Sequence, residues 1–159
     1  MPIHAAELAG ESLGVRRDLG DRRGLAATLR TLTNVARDRG DAERAAALGA
    51  EGLDLLRGSG DHTGLAACLE SLAATCWAQG RAEQAARFYR RAGTLREEHA
   101  TPLPPIERPH QDEVLAALRA ALGDDHFRAA WVDGRATPLD YMIATEAGPE
   151  AGSVHYGHR

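Results

Sequence analysis

The chain has 159 residues, of which 43% are apolar and only 4% aromatic, and its many alanines and leucines favour helices over strands. All 19 basic residues are arginine, and the lack of lysine excludes a nucleotide-binding P-loop and a Schiff-base enzyme, which both need a lysine amine. The net charge of −4 comes from interspersed charges of both signs, which argues against nucleic acid or an anionic membrane as a direct partner.

The sequence predicts a cytoplasmic protein. MPIHAAELAGESLGVRR lacks the continuous apolar core of a signal peptide, and no apolar run approaches the roughly 18 residues of a membrane-spanning helix. Cys68 and Cys76 lie eight residues apart in one predicted helix. At a rise of about 1.5 Å per residue they are too far apart for a disulfide, so we expect two buried, reduced thiols.

The first motif in chain order is GESLG, which fits the Gly-x-Ser-x-Gly elbow that presents the nucleophile of many hydrolases. Such an elbow needs a preceding strand and a sheet beneath it, and only nine residues precede Gly10. We therefore expect Ser12 to lie on a helix surface and not to act as a nucleophile.

A forty-residue repeat is the most informative feature of the sequence. ESLGVRRDLGDRRGLAATLRTLTNVARDRGDAERAAAL, from Glu11, aligns without a gap with EGLDLLRGSGDHTGLAACLESLAATCWAQGRAEQAARF, from Glu51. A fixed period of this kind is typical of architectures in which similar units stack on one another. The repeat predicts full units at 21–60 and 61–100, preceded by a partial unit at 3–20.

Each unit is predicted to contain two helices, because apolar residues recur at helical spacing. Asp21 is placed to cap the first helix, and Gly40 to end it in a left-handed turn. We expect Gly49 and Gly52 to destabilise the second helix by roughly 1 kcal/mol each relative to alanine. The predicted apolar stripes are Leu25, Leu29, Leu32 and Ala36; Ala45, Leu48, Gly52 and Leu55; Leu65, Leu69, Leu72 and Cys76; and Ala85, Phe88, Ala92 and Leu95.

This pattern of large and small residues resembles the tetratricopeptide repeat (TPR). The first unit has Gly49 where a large aromatic residue is usual, and the period is longer than in most TPR proteins. The resemblance implies a solenoid of helical hairpins, wound as a right-handed superhelix and closed by a C-terminal helical cap. The matching residues are Leu29, Leu32, Gly40 and Ala45 in the first unit, and Leu69, Leu72, Ala73, Gly80, Ala85, Tyr89 and Ala92 in the second.

Beyond the repeats, the sequence predicts a proline-rich linker at 101–109, a helical cap at 110–146 and a disordered tail at 147–159. We expect the cap helices to end at Gly123 and Gly134, and a short third helix to open at Thr137-Pro138. Their apolar residues are Val114, Leu118 and Leu122, then Phe127 and Trp131, then Leu139, Met142 and Ile143.

The order of these segments resembles the C-terminal end of large bacterial transcriptional regulators of the LuxR and SARP types. The resemblance is carried by LGDRRGLAATL, the PLPPIER linker and LRAALGDDHFRAAWVDGRATPLD, although Pro109 interrupts what is usually helix. Those regulators join a P-loop ATPase and a DNA-binding domain to a TPR array, and neither of the first two is found in this sequence. The resemblance implies a role in bacterial signalling or transcriptional regulation.

Histidines and carboxylates show no pattern that predicts chemistry. His155 and His158 fall in the predicted tail, and His126 lies beside acidic residues at a helix start, whereas a metal site needs three or four ligands held in geometry. No pair of carboxylates stands out against an apolar background, as acid–base catalysis would require. We expect no catalytic residues, no cofactor and no metal.

A partner-binding groove is expected on the face formed by the first helix of each unit. Arg30, Asn34 and Arg37 share a face away from the leucine stripe, and Glu70, Ala74 and Trp77 are their counterparts forty residues on. The matching positions line the peptide groove in TPR proteins, so the resemblance implies a groove with five partner-binding residues. These are Arg30, Asn34, Arg37, Glu70 and Trp77; the simpler alternative is an ordinary solvated helix face.

We therefore expect a non-enzymatic protein–protein interaction module with a protein or peptide partner. The alternatives are a stand-alone piece of a LuxR/SARP-type DNA-binding regulator and an enzyme. A solenoid generally needs three or more repeats, and here the partial unit leaves apolar surface near Leu8 and Val15 without a cover. We expect either self-association through this N-terminal helix or a shortened relative of a longer protein.

Overall fold

The computed structural model describes residues 21–147, except for the side chains of residue 143 and residues 145–147. Over this range the chain folds into seven helices and no strands, which confirms the expected all-α fold. Between residues 21 and 147, none of the helices combines the length and the apolar character needed to cross a membrane. The helices are α1 (Arg22–Asp38), α2 (Ala42–Leu56), α3 (His62–Ala78), α4 (Ala82–His99), α5 (Arg108–Leu122), α6 (Asp124–Ala136) and α7 (Leu139–Ala147).

Several predictions fall outside the described residues. They concern the partial unit 3–20, the tail residues 148–159, and individual residues of these two segments. The residues are Leu8, Ser12, Val15, His155 and His158. Ala147, which the prediction assigned to the disordered tail, is the last residue of α7.

Aspartate side chains cap the first three helices. Asp21, Asp41 and Asp61 each accept a hydrogen bond from the backbone N–H three residues further along, at 2.9, 3.2 and 3.0 Å. These bonds satisfy backbone donors that the first turn of a helix leaves unpaired. In α4 the capping position is held by Arg81, whose side chain makes no such bond.

The first four helices form two hairpins. α1 packs on α2 and α3 on α4, and α3 also contacts both helices of the first hairpin. Gly40 and Gly80 stand in the two hairpin turns with φ angles of +84° and +77°, a left-handed conformation that favours glycine. The hairpins contain one forty-residue repeat each, and they meet through the face of α3.

The apolar stripes predicted for α1, α3 and α4 are all buried. The stripe predicted for α2 is wrong in part, because Leu48 and Leu55 are only half-buried whereas Leu53 and Leu56 are buried. α2 has to face α1 and α3 at once, so the helix is rotated relative to the predicted stripe. Its buried residues are Ala45, Ala46, Gly49, Gly52, Leu53 and Leu56.

The glycines of α2 lie where this helix meets its neighbours. A Cβ atom on Gly49 would lie 2.6 Å from Cδ2 of Leu72, and one on Gly52 would lie 3.5 Å from Sγ of Cys68. Gly49 therefore leaves the space that the Leu72 side chain fills. The packing of Leu72 against Gly49 offsets part of the stability that glycine costs a helix relative to alanine.

The proline-rich linker is shorter than the prediction of 101–109, because α5 already begins at Arg108. Pro109 lies in the first turn of that helix, where the missing backbone N–H leaves no helical hydrogen bond unmade. α5 and α6 are separated only by Gly123, with φ +82°. Leu118 of α5 and Phe127 of α6 complete the core above α4.

The prediction that Gly134 ends a helix is wrong, since α6 continues through Ala136. A Cβ atom at Gly134 would lie 2.5 Å from the carbonyl oxygen of Arg87 and 2.7 Å from its Cα. The glycine thus permits α6 to approach the backbone of α4, where Arg87 Nε also donates to Asp133 at 2.7 Å. Close packing, rather than helix termination, explains this glycine.

The last described helix returns to the first hairpin. α7 begins at Leu139, directly after Pro138, and the Thr137 hydroxyl donates to the Asp133 carbonyl at the end of α6. α7 contacts α2, and an ion pair of 3.0 Å joins Arg57 to Asp140. The C-terminal helices therefore cover the second hairpin and reach back to the first.

Candidate functional site

A groove with a volume of about 500 Å³ lies between the hairpins and the segment that follows them. One wall consists of residues of α1 and α3, with Tyr89 of α4. The other wall consists of the linker and the start of α5. The second wall contributes Leu103, Ile106, Glu107, His110 and Gln111.

Four of the five residues predicted to bind a partner line this one groove. Arg30, Asn34 and Arg37 come from α1, and Glu70 comes from α3 together with Ala74. The forty-residue alignment thus places matched positions of the two units side by side. The structure therefore brings four of the predicted residues together at one surface.

Trp77 lies away from the groove. It is half-buried, packs against the hydrophobic core, and lines another depression together with Ala121 and Leu122 of α5. Its counterpart Arg37 keeps the groove-facing position in the first unit. In the second unit this position lies beside Ala121 and Leu122 of α5 instead.

A hydrogen-bond network at the groove joins α1 to α3. The Oδ1 atom of Asn34 accepts hydrogen bonds from Arg37 Nη1 at 2.9 Å and from the Ser71 hydroxyl at 2.5 Å. Arg37 Nη1 also approaches the Ser71 carbonyl oxygen at 3.4 Å. These contacts orient the Arg37 guanidinium and connect α1 to α3, which are the first helices of the two repeat units.

Glu70 is engaged in an ion pair within the protein. Both of its carboxylate oxygens accept hydrogen bonds from Arg96, at 2.8 and 2.9 Å, and the two side chains are only 15% and 10% exposed. The hydrogen bond to Glu70 is the main reason why the pKa of Arg96 is raised, so this guanidinium stays charged. Glu70 therefore shapes the groove, and its charge is already compensated.

Arg30 differs from Glu70 in this respect. Its side chain is half-buried and lines the groove, and among residues 21–147 it has neither an ion-pair nor a hydrogen-bond partner. Among the described residues, Arg37 has one carboxylate near its charge, that of the mostly exposed Asp38 at 3.8 Å. The wall formed by α1 is therefore positively charged, and this charge is available to a ligand.

Tyr89 is a groove residue that the sequence pattern did not reveal. It matches a packing position of the repeat and is only 8% exposed, yet it lines the groove. Burial raises the pKa of its hydroxyl to about 12, with smaller effects from Arg37, which lowers it, and from Glu70 and Cys76, which raise it. The sequence did contain one indication, a tyrosine at a core position. Its hydroxyl needs a polar partner or access to solvent, which predicts a nearby surface.

The wall formed by the linker was also missed, because the prolines predict only a spacer. Ile106 is 88% exposed on this wall, and Leu103 lies beside it. Arg96 Nη1 donates to the Thr101 carbonyl at 3.0 Å, and Arg108 Nε donates to the Leu103 carbonyl at 3.1 Å. The first bond holds the linker close to the hairpin, and the second joins the linker to the start of α5.

The groove combines guanidinium, amide and hydroxyl groups with a small apolar rim, a set suited to binding. In the part of the chain that the structure describes, no three histidine, cysteine, aspartate or glutamate side chains are grouped so as to hold a metal ion. Comparisons with protein-family models, curated proteins and solved structures found no match to this chain.

Proposed function

We propose that this chain is a non-enzymatic, TPR-type interaction module of the bacterial cytoplasm, whose groove binds an extended segment of a partner protein. The observation that carries the proposal is the meeting of Arg30, Asn34, Arg37 and Glu70 at one groove. Arg30 and Glu70 hold matched positions of the forty-residue repeat, as do Asn34 and Ala74, which also lines the groove. A repeat protein that presents matched positions on one face builds a continuous binding surface in this way.

The TPR-type arrangement itself is part of the proposal. It is supported by two hairpins of one repeat each and by the contacts of α3 with both helices of the preceding hairpin. Stacking of this kind, continued with a constant rotation, produces a right-handed superhelix. The start of α5 supplies the wall at the end of the array.

The groove's size and lining favour a peptide segment as the ligand. A volume of about 500 Å³ falls within the range of roughly 300–1,000 Å³ that is common for ligand sites. Arg30 and Arg37 provide charged anchors on one side, and Ile106 provides an exposed apolar contact on the other. Arginine is enriched among the residues that carry most of the binding energy at interfaces.

The role in signalling or transcriptional regulation is supported by the order of repeats, proline linker and C-terminal helices, which resembles LuxR- and SARP-type regulators. We also propose a second partner, another copy of this chain, bound through residues 3–20. Light scattering over a range of concentrations tests it, and a strictly monomeric protein would exclude it.

The first experiment is a selection of peptides from a random display library against the full chain. An enriched peptide, labelled with a fluorophore, is then titrated with wild-type protein, Arg30→Glu and Arg44→Glu. Arg44 is exposed near the start of α2, so its substitution changes the net charge equally at a distance from the groove. We expect Arg30→Glu to weaken binding at least tenfold and Arg44→Glu to change it less than twofold.

Circular dichroism and thermal melting of both variants establish that the fold is intact. Equal affinity of the Arg30→Glu variant and the wild-type protein would contradict binding in this groove. Failure of the library to yield any binding peptide would contradict the proposed function as a whole.

A further inference from the structure

The Tyr89 side chain presents an unusual hydroxyl to the groove. The residue is more than nine-tenths buried, yet within residues 21–147 its hydroxyl makes no hydrogen bond. It is not sealed in the core, because Tyr89 is part of the groove lining. The hydroxyl itself opens to the groove, so it is a hydrogen-bond donor that a ligand can use.

The charges around this hydroxyl indicate what kind of ligand atom it suits. Burial raises the pKa of Tyr89 to about 12, so the group stays neutral and can donate a proton at physiological pH. After burial, the charge of Arg37 has the largest effect on the pKa of Tyr89, which it lowers, and its guanidinium is oriented by Asn34. The neighbouring carboxylate of Glu70 is already held by two bonds from Arg96.

We propose that Tyr89 and Arg37 together recognise an aspartate or glutamate side chain of the bound segment. The Tyr89 hydroxyl donates a hydrogen bond to one carboxylate oxygen, and the Arg37 guanidinium supplies the opposite charge. Arg30, which has no counter-ion among the described residues, adds positive potential along the same wall. The occupant is therefore an acidic stretch of a partner protein, and the inference rests on the proposed peptide-binding function.

The linker wall supports the same choice of occupant. Its side chains include the apolar Leu103 and the almost fully exposed Ile106, which suit an apolar residue next to the acidic one. Glu107 is the acidic residue of this wall, and it lies close enough to Arg96 to raise the pKa of that guanidinium. The uncompensated positive charge is thus confined to the α1 side of the groove.

The test uses a peptide enriched from the display selection and a second peptide in which its acidic residues are replaced by asparagine or glutamine. Both are titrated with wild-type protein and with Tyr89→Phe, which removes only the hydroxyl. We expect Tyr89→Phe to weaken the acidic peptide about tenfold and to leave the amide peptide unchanged. This follows because a hydrogen bond to a charged group is worth more than one to a neutral group.

The stability of the same variant distinguishes recognition from a structural role. Because the hydroxyl has no partner in the described residues, Tyr89→Phe is expected to keep or slightly raise the melting temperature. Equal weakening of both peptides by Tyr89→Phe would overturn the proposal.

Selected peptides without acidic residues that nevertheless require Arg30 would overturn it too, while leaving the peptide-binding function in place. A selection that yields no peptide would contradict that function and this inference together.

Discussion

Glu70 and Arg96 form a two-armed ion pair, with donor–acceptor distances of 2.8 and 2.9 Å, between the two helices of the second hairpin. Arg96 also donates to the carbonyl of Thr101, at the start of the linker. One guanidinium therefore connects α3, α4 and the linker that forms the far wall of the groove. The pair is bidentate, charged and nearly buried, so it stabilises the fold more than an exposed surface pair does.

Removing one partner of this pair is expected to destabilise the protein. Glu70→Ala leaves the Arg96 guanidinium, only 10% exposed, without its counter-charge, and we expect the free energy of unfolding to fall by about 3 kcal/mol. The double variant Glu70→Ala/Arg96→Ala should lose clearly less than the sum of the two single losses. Urea denaturation of the four proteins measures this, and additive losses would show that the two side chains are not coupled.

Substitution by alanine is expected to change the stability in opposite directions at two glycines that lie within helices. At Gly134 the new Cβ would meet backbone atoms of Arg87 at 2.5–3.0 Å, and backbone cannot move aside as a flexible side chain can. At Gly93 in α4 no atom lies within 4 Å of the same position. We expect Gly134→Ala to lower stability by about 2 kcal/mol and Gly93→Ala to raise it by up to about 1 kcal/mol.

Thermal and urea denaturation of these two variants give the comparison directly, with each serving as the control for the other. A stabilised Gly134→Ala variant would mean that α6 is not pressed against the backbone of α4. A destabilised Gly93→Ala variant would mean that the space beside α4 is occupied.

Stability is expected to fall in alkaline solution because of Cys68. Burial raises its thiol pKa from 9.0 to about 11, an effect that Arg30 partly opposes. Between these values the unfolded chain has lost the thiol proton while the folded chain still holds it, so the free energy of unfolding decreases as pH rises. The full difference corresponds to about 3 kcal/mol, and roughly 1 kcal/mol of it is lost between pH 8 and pH 10.

Cys68→Ala removes this contribution without changing the other titrating groups. Urea denaturation at pH 8 and pH 10 should therefore show a smaller loss for the variant than for the wild-type protein. Identical losses would mean that the Cys68 thiol is reached by solvent in the folded state.

The hairpin interiors could be predicted from the sequence because two signals agreed there. Apolar spacing placed Leu29, Leu69 and Phe88 on buried faces, and the forty-residue repeat supplied the boundaries. Aspartate at position 21 marked a helix start for the same local reason, since a cap depends only on residues within one turn. Such local patterns predict the same structure regardless of which segments pack on the outside of the hairpins.

The groove could be predicted only on one side. Arg30, Asn34 and Arg37 were found because their spacing places them on one face of α1. Trp77 was misplaced, because it packs on the core and lines a separate depression together with residues of α5. The linker wall and the role of Gly134 depend on contacts between segments far apart in the chain. A single sequence carries no direct signal for such contacts, and glycine in a helix can mean either an end or a close approach.

The central claim is that the groove between α1, α3 and the linker binds a peptide segment. Nuclear magnetic resonance of isotope-labelled protein, titrated with an enriched peptide, tests it most directly by showing which backbone amides change. We expect the largest chemical-shift changes within 30–37, 67–74 and 103–111, with little change around the exposed Val132 on α6. Changes centred on Val132, with the groove amides unaffected, would contradict the account.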